Sequence, residues 1–427
     1  MIVTLAALIL LGVELPAGET HLKHPMEVPK GPHAVIRGNP QGSTLILDPD
    51  FKGSAAIVAD GASDLTVEGF TIRGDRTELK SDWYLPPGET PFADYFSDNG
   101  IVVRKSAGVT IRNVTMTGIR AFPVIVSASS DVTIMGVRIE DSGTLNRAGL
   151  NNTSGGILLE QGVSRFEVSR CSISRITGNA IWTHSYSSAP RSSDGSIHDN
   201  TIARVARDAI QVGHATGVRV ENNTGSELGY PAEYVDVDSQ AVAVALDTAG
   251  NVDRSVYAGN RFTDVNGQCI DLDGFHDGSV LENVCLNRKP LEDYPWLHAG
   301  VVFGNNNPSV EPTGVIVKGN DIEGFAYGGV FLIGRGNRIE DNRFLDMNRA
   351  HCGANPVPAR CAYALDQPDM LRAGVYLANS GGRPAVTKGN VIRGNTITGF
   401  GMKEHCVAAA PGVSLSENTI EANRCGP

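Results

Sequence analysis

Residues 268–277 read Gln-Cys-Ile-Asp-Leu-Asp-Gly-Phe-His-Asp, a dense run of ionisable side chains on a segment that patterns as a strand. Side chains alternate along a strand, so Ile270 and Leu272 share one face while Asp271 and Asp273 share the other. The two carboxylates then stand about 6.5–7 Å apart at the backbone. His276 and Asp277 follow in the turn. Like charges set this close repel and resist desolvation, so a purely structural strand avoids them. A pair with one carboxyl protonated and the other ionised can carry general acid–base chemistry. The competing reading is a solvated acidic face with no chemistry.

Other groups with chemical potential fall on neighbouring segments of the same pattern. By alternation the outward positions are Leu158 and Glu160, Trp182 and His184, Gln211, Ala243 and Ala245, then Asp271 and Asp273. Apolar Val302, Phe331 and Tyr376 follow. Asp247 and His214 are expected just past the ends of their strands, one or two coils from Asp273 and His276. Asp271, Asp273, Asp247, His276 and Asp277 are therefore the candidate catalytic groups. Glu160, Trp182, His184, Gln211 and His214 are candidates for holding a ligand. No metal site and no definite cofactor are assigned; calcium is the candidate cofactor, since Asp271, Asp273 and Asp277 offer hard oxygen ligands of the kind that it takes.

The elements that would position these groups come from a repeat. An Asn followed closely by an apolar residue recurs at Asn113, Asn200, Asn260, Asn283, Asn320, Asn342, Asn395 and Asn418. Asn tolerates a left-handed backbone, and its amide can bond the same amide one layer away. The recurrence predicts an internal ladder at one turn, with Cys171 as a buried, unpaired substitute. A small or polar residue also leads repeatedly into an apolar-x-apolar strand, as at Gly100-Ile101, Gly156-Ile157, Ala180-Ile181, Ala209-Ile210, Ala241-Val242, Cys269-Ile270, Gly300-Val301, Gly329-Val330 and Gly374-Val375. The spacing starts near 23 residues and lengthens only by inserted loop, the mark of a solenoid. Each unit offers three short strands and no blade signature, which disfavours a propeller.

This Asn and Gly/Ala-Ile pattern resembles the right-handed parallel β-helix of the pectate-lyase-like superfamily over roughly residues 15–425. The resemblance implies an all-β chain: a single right-handed parallel β-helix of about ten or more coils, with loop insertions on one edge. Residues 15–427 are assigned to that domain. Residues 1–14 are either an export signal or an N-terminal cap: the apolar run Met1–Gly12 is too short to span a bilayer and has no basic residue before it.

The insertions 74–99, 141–155, 225–240, 287–299 and 347–373 all precede a Gly/Ala-Ile strand, so they should leave the helix at one corner. Residues 185–195 leave from the opposite end of such a strand. The strand column becomes a groove floor between walls, a natural seat for an extended polymer. Wall aromatics such as Trp83, Tyr84, Phe92, Tyr95, Phe96, Tyr230, Tyr234, Tyr294 and Trp296 could stack on sugars, and packing onto the body is the commoner role.

A net charge of −11 argues against nucleic acid, whose phosphates demand a basic surface. Seven cysteines favour an oxidising compartment, hence a secreted or periplasmic location, with at least one thiol left over. A monomer without a membrane span is expected. Carboxylates roughly 6.5–9.5 Å apart suit inverting glycoside hydrolysis of a poly- or oligosaccharide. The polygalacturonase relatives of the fold use an aspartate cluster, but this chain lacks their Asn-Thr-Asp, Gly-His-Gly and Arg-Ile-Lys motifs. The alternative is a uronate lyase or epimerase: His276 and Asp277 match the last two positions of the Asp-Pro-His-Asp motif of alginate epimerases, while Gly274 and Phe275 depart from it. The remaining alternative is a non-catalytic glycan binder or adhesin, which would not need converging carboxylates.

Overall fold

The structure, a computed structural model, describes residues 12–28, 30–151, 154–238, 242–304, 310–379 and 387–427. The apolar N-terminal run, apart from Gly12, lies outside the described residues, as do Gln240 and Ala241. Every strand pairing among the described residues is parallel and joins one coil to the next, so the chain winds as a β-helix. One face is a sheet of 14 strands, from Gly18–Leu22 to Arg424–Gly426. The other two faces are linked into a sheet of 29 strands, because strands such as Ala243–Asp253 continue around a corner and pair on both faces.

The repeated Ile or Val after the small residue explains the stacking. Ile101, Val124, Ile157, Ile181, Ile210, Leu246, Ile270, Val301, Val330 and Val375 pair in register, one over the next. All are buried in one continuous interior core. Full burial of such a side chain contributes about 1.5–3 kcal/mol, and no single coil could bury its own apolar face alone. The small residue before it sits where coils touch: a Cβ at Gly156 would lie 2.4 Å from the carbonyl oxygen of Ala180.

The Asn ladder is present with a shifted membership. Side-chain amides link Asn200, Asn223, Asn260, Asn283, Asn320, Asn342, Asn395 and Asn423 in sequence at 2.8–3.0 Å. Cys171 takes the next place, its backbone N–H donating to Asn200 Oδ1, and its buried thiol is free. Asn113 does not belong: it is exposed with φ 52°, and buried Val114 occupies the ladder position. The left-handed residue is the one before the ladder, as at Asp199, Glu282 and Asp341. Asn418 belongs to another stack with Asn337 and Asn390, at the corner leading into the neighbouring sheet face.

Disulfides join Cys269–Cys285, Cys352–Cys361 and Cys406–Cys425. No helix among the described residues is long and apolar enough to cross a membrane. The long insertions do leave at one corner, between the 14-stranded sheet and the strands carrying the Gly/Ala-Ile pattern.

Candidate active site

The groove floor is the outward row of those same strands. Register runs from Leu158 through Trp182 and Gln211 to Asp247, then through Asp271 to Val302, Phe331 and Tyr376. Leu246 pairs with Ile270, so Asp247 and Asp271 lie side by side on neighbouring coils. Asp247 therefore stands inside its strand, not past its end. Ala243 and Ala245, expected to face outward, are fully buried in the interior core. Val244 lines the outward cavity instead, and because Ala245 and Leu246 both face the core the alternation breaks between them.

Asp247, Asp271 and Asp273 meet in a cavity of about 210 Å³, with Asp208, Arg207, Gln211 and Gln268 also lining it. The strand ends at Asp271, yet Leu272 stays buried and Asp273 keeps its outward direction into the turn. Asp271 is half-buried, and its enclosed Oδ1 has no hydrogen-bond partner among the described residues. Burial, then the charges of Asp273 and Asp208, hold its carboxyl well above the usual range. Burial, then Asp208 and Asp271, do the same to Asp247. Asp208, pushed up to about 6 by burial against the pull of Arg207, completes the set. Four carboxylates so placed cannot all ionise, so the cluster retains a proton near neutrality.

Side-chain amides orient the cluster. Asn179 Nδ2 donates to Gln211 Oε1 at 2.9 Å, and Gln211 Nε2 donates to Asp247 Oδ2. Asp208 Oδ1 accepts the Val244 N–H at 2.9 Å, and Arg207 Nε lies 3.4 Å from Asp208 Oδ2. Gln211 is thus engaged at both ends and positions Asp247. Asp208 and Arg207 escaped the sequence reading. Their only signal was two adjacent charged residues immediately before Ala209-Ile210, where the other Gly/Ala-Ile strands are preceded by at most one.

A second cavity of about 450 Å³ continues the groove, sharing Arg207, Gln211 and Ala249 with the first. Trp182, His184, Tyr186, Phe92 and His214 line it. Trp182 and His184 are adjacent at 5.1 Å between ring centroids, and Tyr186 meets His184 edge-on at 4.8 Å. Burial lowers the His184 imidazole to about 4, helped by His214, and its enclosed Nε2 has no hydrogen-bond partner among the described residues. Burial and the nearby Arg191 also lower His214. Both rings are neutral at physiological pH.

Three expected site residues lie elsewhere. Glu160 is fully buried and accepts the N–H groups of Phe92 and Ala93 at 2.8 and 3.0 Å, so it anchors the 74–98 wall rather than facing a ligand. His276 and Asp277 do not line either cavity. The turn at Gly274 carries them to the neighbouring face, where His276 contacts Asn251 Oδ1 at 3.1 Å and Asp277 Oδ2 at 3.2 Å. Asp277 is exposed on that face and does not line the cavity that Asp271 and Asp273 share. Among the described residues, no group of three or more His, Cys, Asp or Glu is placed to hold a metal ion. Most wall aromatics pack inward: Phe92, Phe96 and Phe122 form a buried cluster, and Tyr294 is fully buried on Asp264.

Comparison with curated protein sequences finds no match. Among solved structures, the chain is similar to PfbA, a surface adhesin of Streptococcus pneumoniae, with TM-score 0.59 and 15% identity over 80% of this chain and 85% of that one. It is similar to DFA-IIIase from Arthrobacter chlorophenolicus A6 in complex with GF2, with TM-score 0.53 and 14% identity over 96% and 87%. It is also similar to a tailspike protein of E. coli bacteriophage HK620 in complex with a pentasaccharide, with TM-score 0.57 and 10% identity over 93% and 71%. Residues 55–241 match the family described as right handed beta helix region, and the whole described chain is accordingly a right-handed parallel β-helix.

Proposed function

We propose that the protein is a carbohydrate-active enzyme of an oxidising, extracytoplasmic compartment that hydrolyses glycosidic bonds in the groove described above. The observation that carries this reading is the convergence of Asp208, Asp247, Asp271 and Asp273 on one groove cavity. Asp271, whose carboxyl is held well above the usual range by burial and by Asp273 and Asp208, is suited to donate a proton to the leaving glycosidic oxygen. Asp273, two residues on along the same outward face, is suited to take a proton from the attacking water. A backbone separation of about 6.5–7 Å leaves room for that water and supports inversion. The charges of Asp273 and Asp208 help to hold the Asp271 carboxyl up, while Gln211 orients Asp247 beside it. Saccharide-bound DFA-IIIase and tailspike proteins share this architecture, and the three disulfides fit the compartment.

The test is product analysis on a polysaccharide panel with wild type and Asp271→Asn. New reducing ends with inverted anomeric configuration, absent in the variant, are expected. Unsaturated products would instead establish elimination, and saccharide binding with no turnover would establish a binding protein.

A further inference from the structure

We infer that the groove accepts an uncharged saccharide chain and excludes uronates; the inference rests on the reading of this groove as a saccharide site. A bound uronate needs its carboxylate neutralised by a free cation or a metal. Among the described residues lining the two cavities, Arg207 is the only Lys or Arg, and Asp208 lies beside it at 3.4 Å. Arg191, whose charge reaches cavity-lining His214, is committed to Asp253 and Asn251 at 3.0 Å and to the Ala215 carbonyl. The floor meanwhile presents four carboxylates, and no grouping suited to a bridging metal accompanies them among the described residues.

An acidic sugar anywhere on this floor would face like charge in a partly desolvated cleft, which costs both repulsion and lost hydration. The other cavity offers what a neutral sugar uses: the half-exposed rings of Trp182 and Tyr186, with hydrogen-bonding groups at its edge. Arg207 Nε, enclosed and without a hydrogen-bond partner among the described residues, stands at the junction of both cavities. With its charge balanced by Asp208, it can donate to a hydroxyl or ring oxygen rather than demand an anion. Trp182 and Asp271 are three strand steps apart, about 14 Å at the usual spacing, so the ligand spans more than one sugar ring.

The test measures binding by calorimetry to catalytically silent Asp271→Asn and to wild type, using neutral gluco-, manno-, galacto- and fructo-oligosaccharides of increasing length. Each uronate oligosaccharide is paired with its carboxyl-reduced counterpart. Affinity for at least one neutral series should rise with length over the first few units and change little with salt. Carboxyl reduction should tighten binding at least tenfold wherever either form binds. A uronate that binds more tightly than its reduced form overturns the inference. If wild type also cleaves that uronate, the hydrolase reading survives alone; if a neutral chain binds without being cleaved by wild type, the inference survives alone. Absence of binding to every saccharide overturns both.

Discussion

Asp247 and Asp271 lie directly beside one another on consecutive coils, because the inward residues before them, Leu246 and Ile270, are register partners. The stacking that builds the core also forces two carboxyls into contact range. Both have folded-state values raised first by burial and then by neighbouring carboxylates, Asp208 and Asp271 for Asp247, Asp273 and Asp208 for Asp271. A raised carboxyl contributes stability below the free Asp value of about 3.9, and this is lost as pH rises through the folded value. Asp271→Asn should therefore melt higher than wild type at neutral pH and indistinguishably from it near pH 3. A difference in Tm that is flat across pH would show that charge is not the cause.

The same substitution should remove catalysis. Loss of the proton donor is expected to lower kcat by about 10²–10⁴-fold, and Asp273→Asn should act similarly through the water. Stopped assays on the true substrate check this. Near-normal turnover in both variants would move the reaction to another part of the groove.

His276 separates the chemistries. It lies outside both cavities, held by Asn251 and Asp277. His276→Ala should retain activity within about tenfold, read as kcat/KM. A loss of about 10³-fold or more would assign it as a base and favour elimination or epimerisation.

Glu160 holds the wall. Its two carboxylate oxygens accept the N–H groups of Phe92 and Ala93, and it is fully buried. Glu160→Ala leaves two buried donors unsatisfied, at about 1–3 kcal/mol each. Glu160→Gln can still accept one of them and should cost less. Limited proteolysis within residues 74–98, faster in Glu160→Ala than in Glu160→Gln, is the expected signature.

The ladder can be tested by contrast. Asn260 bonds Asn283 on one side and accepts from Asn223 on the other, so Asn260→Ala should destabilise by roughly 1–3 kcal/mol. Asn113 is exposed at φ 52°, where glycine is at least as comfortable, so Asn113→Gly should be neutral or slightly stabilising. Equal losses in thermal melts would remove the distinction between ladder and turn positions.

The amino-acid sequence alone determined the coil. Small-residue–Ile strands and recurring Asn are local patterns that repeat, and a repeat can bury its apolar face only by stacking, so the fold, the loop corner and the inward faces outside Ala243 and Ala245 followed. Asp271 and Asp273 were likewise readable, since alternation between Ile270 and Leu272 is a local property. The tertiary structure alone decided the rest. Glu160 had the correct outward direction, but a wall formed 60–70 residues earlier covers it. His276 and Asp277 were adjacent in sequence to the site, and one turn at Gly274 carries them to another face. Asp208, 63 residues from Asp271 in the chain, joins it only because coil-to-coil register brings separate corners into one cavity. Register between coils is set by core packing and loop length together, and neither is contained in any single stretch of sequence.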